Sequence, residues 1–423
     1  MLEVTRIRED KQAIAAALAK RGLQAEPVLD EIIAVDDKRK QIQAKSEGLL
    51  TESNSIAKQI GDLFKQGKRE EAEAMKQRPL ALREEIHQLK EEMHVVEAQL
   101  SDLLFTLPNA PHESVPTGHS EEDNELIMTE GDIPSLYDGA VPHWELADTY
   151  GLIDFELGVK ITGAGFPVYT GQGAKLQRAL IAFFLDEAEK AGFKEVIPPL
   201  LVNEASGIGT GQLPDKEGQM YHTAADNLYL IPTAEVPLTN LYRDVIVAEE
   251  ELPIKISGYT QCFRREAGSY GKDVRGLNRL HQFDKVEIVC VEHPEKSYAR
   301  LESMVEHIKG LLTKLELPYR VLRLCAGDLG FAAALTIDME VYSAAQKRWL
   351  EVSSISNFET FQTNRLKLRY RNADKKNQLA HTLNGSALAL PRIVAALLEN
   401  NQTAEGIKIP AALVPYTRFD SIS

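Results

Sequence analysis

The stretch Cys262–Val289, CFRREAGSYGKDVRGLNRLHQFDKVEIV, concentrates side chains able to hold a small charged ligand. Two extended runs flank a polar loop rich in glycine and charge. Side chains alternate along a strand, so Arg264 and Glu266 point one way and Arg265 the other; Phe283 and Glu287, evenly spaced on the return run, share a face. Arginine grips phosphate or carboxylate through two parallel hydrogen bonds. An aromatic face stacks on a base, worth about 1–3 kcal/mol where measured on nucleic acids. A carboxylate accepts from an adenine amino group or pairs with an α-ammonium. One sheet surface carrying all three suits a nucleotide and an amino acid held together. The same residues also fit a plain hairpin with surface ion pairs worth about 0–1 kcal/mol each, and the chemistry alone leaves both readings open. Neither GxGxxG nor GxxxxGK[ST] occurs, so no dinucleotide fingerprint or P-loop accounts for a nucleotide site.

The chain that must position these residues is long enough, at 423 residues, for two or three domains and a sizeable core. Its 43% hydrophobic and 26% charged residues are ordinary for a soluble globular protein. No apolar run approaches the roughly 18 residues of a membrane span. The start, MLEVTRIREDKQ, lacks the apolar stretch of a secretory signal, so a cytoplasmic protein is expected. Cys262, Cys290 and Cys325 lie far apart without CxxC pairing, which argues against a disulfide framework and a thiolate zinc site and for buried small hydrophobes. The net charge of −15 counts against nucleic-acid binding unless basic residues cluster locally.

A short helical pattern, DKQAIAAALAKRG, closes at Gly22. From about 27 to 107 the composition turns to Glu, Lys, Gln and Leu. Leu82, Ile86, Leu89, Met93, Val96, Leu100, Leu103 and Leu107 alternate spacings of four and three, as a coiled-coil seam does. Val35, Ile42, Leu49, Ile56, Ile60 and Leu63 supply a weaker partner seam interrupted by Arg39, Ser46 and Ser53. Gly61, Gly67 and Pro79 mark the reversal, with Pro79 suited to a first helical turn. The expectation is an antiparallel helical hairpin that, at about 35 residues per arm, projects roughly 50 Å. A dimerisation strut and a device for reaching a large ligand both fit it. Proline in PNAPHESVP ends the seam, and HSEEDNE reads as a solvated linker. Beyond Trp144, helices such as LQRALIAFFLDEAEKAG alternate with strand runs NLYLIPT, HQFDKVEIVCV and LTIDMEVY, which favours an antiparallel sheet flanked by helices.

FRREAGSYGKDVRGLNRLHQFDKVE closely resembles the second signature motif of class II aminoacyl-tRNA synthetases, in the form typical of the seryl-tRNA synthetase family, bacterial type. The resemblance runs nearly the whole chain, through the arm, PNAPHESVP, HWEL with GLIDFE, GTGQLP, the TAE triplet and a third motif, TLNGSALALPRIVAALLENNQ. It implies an α+β fold: residues 1–107 a tRNA-binding domain with the arm at about 27–107, and 108–423 a class II catalytic domain built on an antiparallel sheet. It implies a serine–tRNA ligase acting on L-serine, ATP and tRNA(Ser), with tRNA(Sec) also admitted, as a homodimer that uses Mg²⁺ and no zinc. Position by position, Pro199 matches the first-motif proline that shapes the dimer interface. Thr233, Ala234 and Glu235 match the serine-binding triplet. Arg264 matches the grip on the α-phosphate and serine carboxylate, with Arg265 beside it. Glu266 matches the adenine amino contact, Phe283 the ring beneath adenine, and Arg279 a residue positioning substrates, counted with the serine contacts. Glu287 matches the acid reading the serine ammonium and hydroxyl, and Ser386 a second hydroxyl contact. Glu351, Val352, Ser353 and Ser354 resemble the ATP and metal segment, with Glu351 and Ser354 as Mg²⁺ ligands, and Arg392 matches the clamp on the γ-phosphate.

The resemblance further implies a two-step reaction: serine carboxylate attacks the α-phosphorus of ATP, and the tRNA terminal hydroxyl then takes the seryl group. Catalysis would rest on positioning and on charge neutralisation by Arg264, Arg392 and Mg²⁺. It assigns the arm to tRNA, where Lys65, Lys68, Arg69, Lys76 and Arg78 gather near the tip. Leu335 stands where the family commonly shows lysine and Ile355 where cysteine is frequent, and Thr360 lies in FETFQTNR, which replaces a more usual FEDFQARR. A carrier-protein-charging homologue would lack the arm, and a dead scaffold would lack the ATP contacts; this chain has both.

Overall fold

The arm is built from three helices: α1 (Glu26–Lys65), α2 (Arg69–Ala74) and α3 (Gln77–Thr106). They belong to a computed structural model in which residues 1–215, 218–266 and 275–423 are described. The chain divides into two compact units, Leu2–Ala19 with Leu23–Pro108, and Asn109–Ser423 with Met1 and Lys20–Gly22. In the first unit α1 and α3 run antiparallel, as the cross-helix ion pairs Lys38–Glu92 at 3.1 Å and Glu52–Arg78 at 2.8 Å require. Pro27 in the first turn of α1 loses no hydrogen bond there. The seam buries Leu29, Ile32, Val35 and Ile42 against Leu82, Ile86, Leu89, Val96 and Leu100. At its end Leu104 is buried in place of the expected Leu103, because a 3.6-residue helix drifts about 20° per heptad from a strict seven-residue repeat. Gly67, with φ +80°, opens the reversal, which the short helix α2 completes; Gly61 lies inside α1.

The second unit carries an eight-stranded sheet among the described residues. Its strands are β1 (Glu125–Glu130), β2 (Lys194–Glu195), β3 (Ile254–Phe263), β4 (Gln282–Glu292), β5 (Tyr319–Arg323), β6 (Leu335–Ser343), β7 (Arg348–Glu359) and β8 (His381–Ala389), in the spatial order β1-β5-β6-β7-β8-β4-β3-β2. Neighbours are antiparallel except β2 beside β3. Of the helices that position the site, α4 (His143–Thr149) packs against α7 (Leu390–Asn400), and α5 (Gly171–Lys190), α6 (Ser297–Lys314) and α7 pack on this sheet. Phe183 and Phe184 of α5, Leu301 and Ile308 of α6, and Ile393 and Leu397 of α7 share one core with Val286, Ile288 and Cys290 of β4 and Met339 and Val341 of β6. Helix α7 is apolar nearly all round and correspondingly buried. Lys285 and Glu287 alternate with the core residues of β4 and so turn to the opposite face.

One local expectation changes. β3 ends at Phe263, so Arg264, Arg265 and Glu266 lie past the strand, and Glu266 takes φ +50°. The polar loop of the motif lies, over 267–274, outside the described residues. β8 runs through Asn384–Gly385 to Ala389, its last residues pairing with Lys285 and Glu287 of β4, and at Gly385 it lies close to β7, where a Cβ would stand 3.1 Å from Ile355 Cγ1. Leu335 and Ile355 are core residues, and Thr360 is the N-cap of the helix Phe361–Leu366.

Candidate active site

Glu287, fully buried on β4, is the centre of a polar cluster. Its carboxylate meets Lys285 Nζ at 2.5 Å, accepts from Thr233 Oγ1 at 2.9 Å and from Asn384 Nδ2 at 3.0 Å. Lys285 also donates to Thr233 Oγ1 at 2.9 Å. A buried charge survives only when paired and hydrogen-bonded, and here each partner comes from a different element. Glu235 opens the helix Glu235–Asn240 and accepts from Gln362 Nε2 at 2.6 Å. Gln362 is itself held by Thr382 Oγ1, 2.7 Å from its amide oxygen. Burial first, and repulsion from Glu287 second, push the Glu235 carboxyl up to about 7. Ala234 packs beneath with Leu238 and Val289. Ser386 pairs across the sheet with Glu287 and, two residues from Asn384, shares its face.

Arg264 lies beside this cluster, its Nε donating to Pro232 O at 3.3 Å and its guanidinium 5.3 Å from the Phe283 ring centre. Main-chain bonds from Arg264 N to His281 O (2.9 Å) and Arg265 N to Gln219 O (2.8 Å) hold the segment. The Arg265 side chain is exposed. Glu266 pairs with Arg279.

Glu351 and Ser354 are three residues apart and would point to opposite faces of a regular strand. Asp338 pairs with Ser354 and Glu340 with Glu351, with a shift between them that leaves Val352 as an extra residue in β7. This bulge returns Glu351 and Ser354 to the face that carries Asp338. Val352 joins the core, and Ser353 Oγ donates to Ser386 O at 2.6 Å. Asp338 Oδ1 is buried without a hydrogen-bond partner, and burial, then the nearby Glu351 charge, raise this carboxyl well above its usual range. Arg392, at the start of α7, donates to Glu351 O at 2.7 Å and sits 3.5 Å from its carboxylate. Sequence reasoning singled out neither Lys285, Asn384, Gln362 nor Asp338. Lys285 and Asn384 carried a usable signal, even spacing with Glu287 and Ser386.

The five basic residues at the arm's tip are exposed, and four already have acidic partners: Lys65 with Asp62 (3.4 Å), Lys68 with Glu71 (3.5 Å), Lys76 with Glu73 (2.5 Å), and Arg78 with Glu52 and Glu85.

Residues 220–401 match the tRNA synthetase class II core domain (G, H, P, S and T), and residues 1–111 the seryl-tRNA synthetase N-terminal domain. The serine–tRNA ligase of Salinibacter ruber is 50% identical over 100% of this chain and 99% of its own, and that of Akkermansia muciniphila 46% identical over 100% and 99%. The structure of seryl-tRNA synthetase from Pyrococcus horikoshii complexed with ATP superposes with a TM-score of 0.91 at 34% identity, over 100% of this chain and 99% of that one. With full-length relatives of this kind in both sequence and structure, the chain belongs to the seryl-tRNA synthetases, ATP-dependent ligases that join serine to tRNA.

Proposed function

We propose that the Glu287 cluster is the serine pocket and that Arg264, Glu266, Phe283, Glu351 and Arg392 form the adjoining ATP site. The buried Glu287, bonded at once to Lys285, Thr233 and Asn384, carries this reading: a serine hydroxyl can join such a network, and alanine would leave its polar groups unpaired. Glu235 and Glu287 offer negative charge to the substrate ammonium. Arg264, between pocket and Phe283, bridges the serine carboxylate and the α-phosphate. Arg392 takes the γ-phosphate side, and Arg279 with Glu266 frames the adenine end.

In the first step the serine carboxylate oxygen attacks the α-phosphorus, and the bond from that phosphorus to the departing pyrophosphate breaks. In the second the tRNA terminal ribose hydroxyl attacks the acyl carbon, and AMP leaves. No protein nucleophile is required; Arg264 and Arg392 orient the phosphates and offset their charge. The residues present fit Mg²⁺: Asp338 Oδ1 is an orphaned buried oxygen on the face shared with Glu351 and Ser354, and oxygen donors suit this cation. Asp338, Glu351 and Ser354 would hold it, and it would there offset phosphate charge.

The same reading makes the protein a cytoplasmic homodimer whose residues 1–107 bind tRNA(Ser) through the arm tip, while 108–423 perform the chemistry. The apolar side chains Ile197, 84% exposed, with Leu200 and Leu201 around Pro199 support the dimer face. No helix among the described residues is long and apolar enough to cross a membrane. ATP–pyrophosphate exchange with each of the twenty amino acids, without tRNA, tests the proposal. Exchange driven by serine and abolished in Glu287→Ala is expected; exchange driven by another amino acid, or surviving that substitution, refutes the pocket.

A further inference from the structure

We propose that His143 and Glu399 form a positioning pair that holds residues 276–279 against α7, so that Arg279 and Arg392 face the nucleotide together. The inference rests on the ATP site proposed above. Both side chains are fully buried, and neither touches the groups assigned to substrates. His143 Nε2 accepts from Leu277 N–H at 2.8 Å, so the ring proton belongs on Nδ1, which donates to Glu399 Oε1 at 2.7 Å. The His143 main-chain N–H donates to the same oxygen at 3.0 Å. Ser343 Oγ donates to Oε2, and Gln346 Nε2 donates to Oε1 at 2.9 Å. A buried carboxylate with this many donors is a built anchor.

The anchor reaches the nucleotide arginines by two routes. Gln346 Oε1 accepts from Asn278 Nδ2 at 3.0 Å, and Asn278 O accepts from Arg392 Nε at 3.3 Å. Arg392 and Glu399 are seven residues apart on α7, two turns along one face. Leu277 meanwhile lies two residues before Arg279, so its bond to His143 fixes where that side chain begins. The approach is close: Gly276 has φ +67°, and a Cβ there would collide with His143 Nε2. Arg275 covers the Trp144 ring at 4.8 Å, adding a second contact between this segment and α4.

The test compares His143→Ala, His143→Gln, Glu399→Gln and Gly276→Ala in serine-driven ATP–pyrophosphate exchange, with Arg392→Ala in parallel and folding checked by thermal unfolding. Losing a buried hydrogen bond that orients a phosphate ligand should raise KM for ATP about tenfold. KM for serine should stay within about twofold, because the Glu287 cluster is fixed by other elements. His143→Gln, which can still accept from Leu277 N–H, should recover most of the loss. Should His143→Ala fail to fold, Glu399→Gln and Gly276→Ala carry the comparison. Folded variants with unchanged KM for ATP, or with both KM values rising in parallel, overturn the positioning role. A normal KM for ATP in Arg392→Ala would instead overturn the underlying site reading.

Discussion

Replacing Glu235 by glutamine should make the protein more stable and a worse enzyme, and the stability gain should depend on pH. The ordinary value for this carboxyl is 4.5, and burial with the nearby Glu287 charge lifts it to about 7. Below about pH 4.5 the group is protonated in both folded and unfolded chains, and folding is indifferent to it. As pH rises the unfolded chain loses the proton while the folded chain keeps it, so stability falls until about pH 7 and stays lowered above. At about 1.36 kcal/mol per pH unit, the full difference is about 3 kcal/mol. Glutamine keeps the shape and can accept from Gln362 Nε2, yet never ionises. Thermal unfolding of both proteins at pH 5 and pH 8 should show near-equal midpoints at pH 5 and a variant raised by on the order of 5 °C at pH 8. The same variant loses a charged partner for the serine ammonium, which should raise KM for serine roughly 10- to 100-fold. Opposite signs for stability and binding mark a site that holds strain for function. Equal midpoint differences at both pH values would refute the ionisation argument, and an unchanged KM would remove Glu235 from the pocket.

Lys285→Met leaves Glu287 buried without its cation and should cost about 3–5 kcal/mol, seen as an early thermal transition. Adding Glu287→Gln should return much of that stability without returning exchange, and additive losses in the double variant would contradict a mutual pair. At the arm tip, neutralising Lys68, Arg69 and Lys76 should raise KM for tRNA and flatten its salt dependence by roughly one log–log unit for each phosphate that goes unneutralised, with tRNA-independent exchange unaltered. Unchanged tRNA kinetics would move the tRNA-binding surface elsewhere. Ile197→Asp should shift the light-scattering mass toward the single chain, and an intact dimer would show that the Pro199 face lies outside the interface.

The arm was legible because a heptad seam is a local rule: Leu82, Ile86, Leu89, Val96 and Leu100 are buried where spacing puts them, and the drift to Leu104 needs the real helix pitch. Of the weaker partner seam Val35 and Ile42 are buried, while Leu49, Ile56, Ile60 and Leu63 are half-buried. The sheet was legible as a class, since β4 and β6 are apolar runs with β-branched residues. What remained hidden depends on pairing between strands. The alternation that put Arg264 and Glu266 on one strand face stops at Phe263, and nothing in FRRE says where hydrogen bonding to the return strand ends. Gln362 and Thr233 come to the acids from separate elements, by contacts that no spacing encodes.

The proposed metal segment shows what such pairing does to the placing of side chains. In EVSS the two residues with the right donors are three apart, a spacing that a regular strand wastes by pointing one of them into the core. Inserting Val352 as an unpaired residue sends that apolar side chain inward and brings Glu351 and Ser354 to one face, opposite Asp338. The bulge therefore decides whether Glu351 and Ser354 share the face of Asp338. Deleting Val352 would keep every donor in the sequence and still turn Glu351 across the sheet, away from Asp338. A site of this kind is specified by register as much as by residue type, which explains why the family resemblance named Glu351 and Ser354 while strand periodicity alone would have separated them.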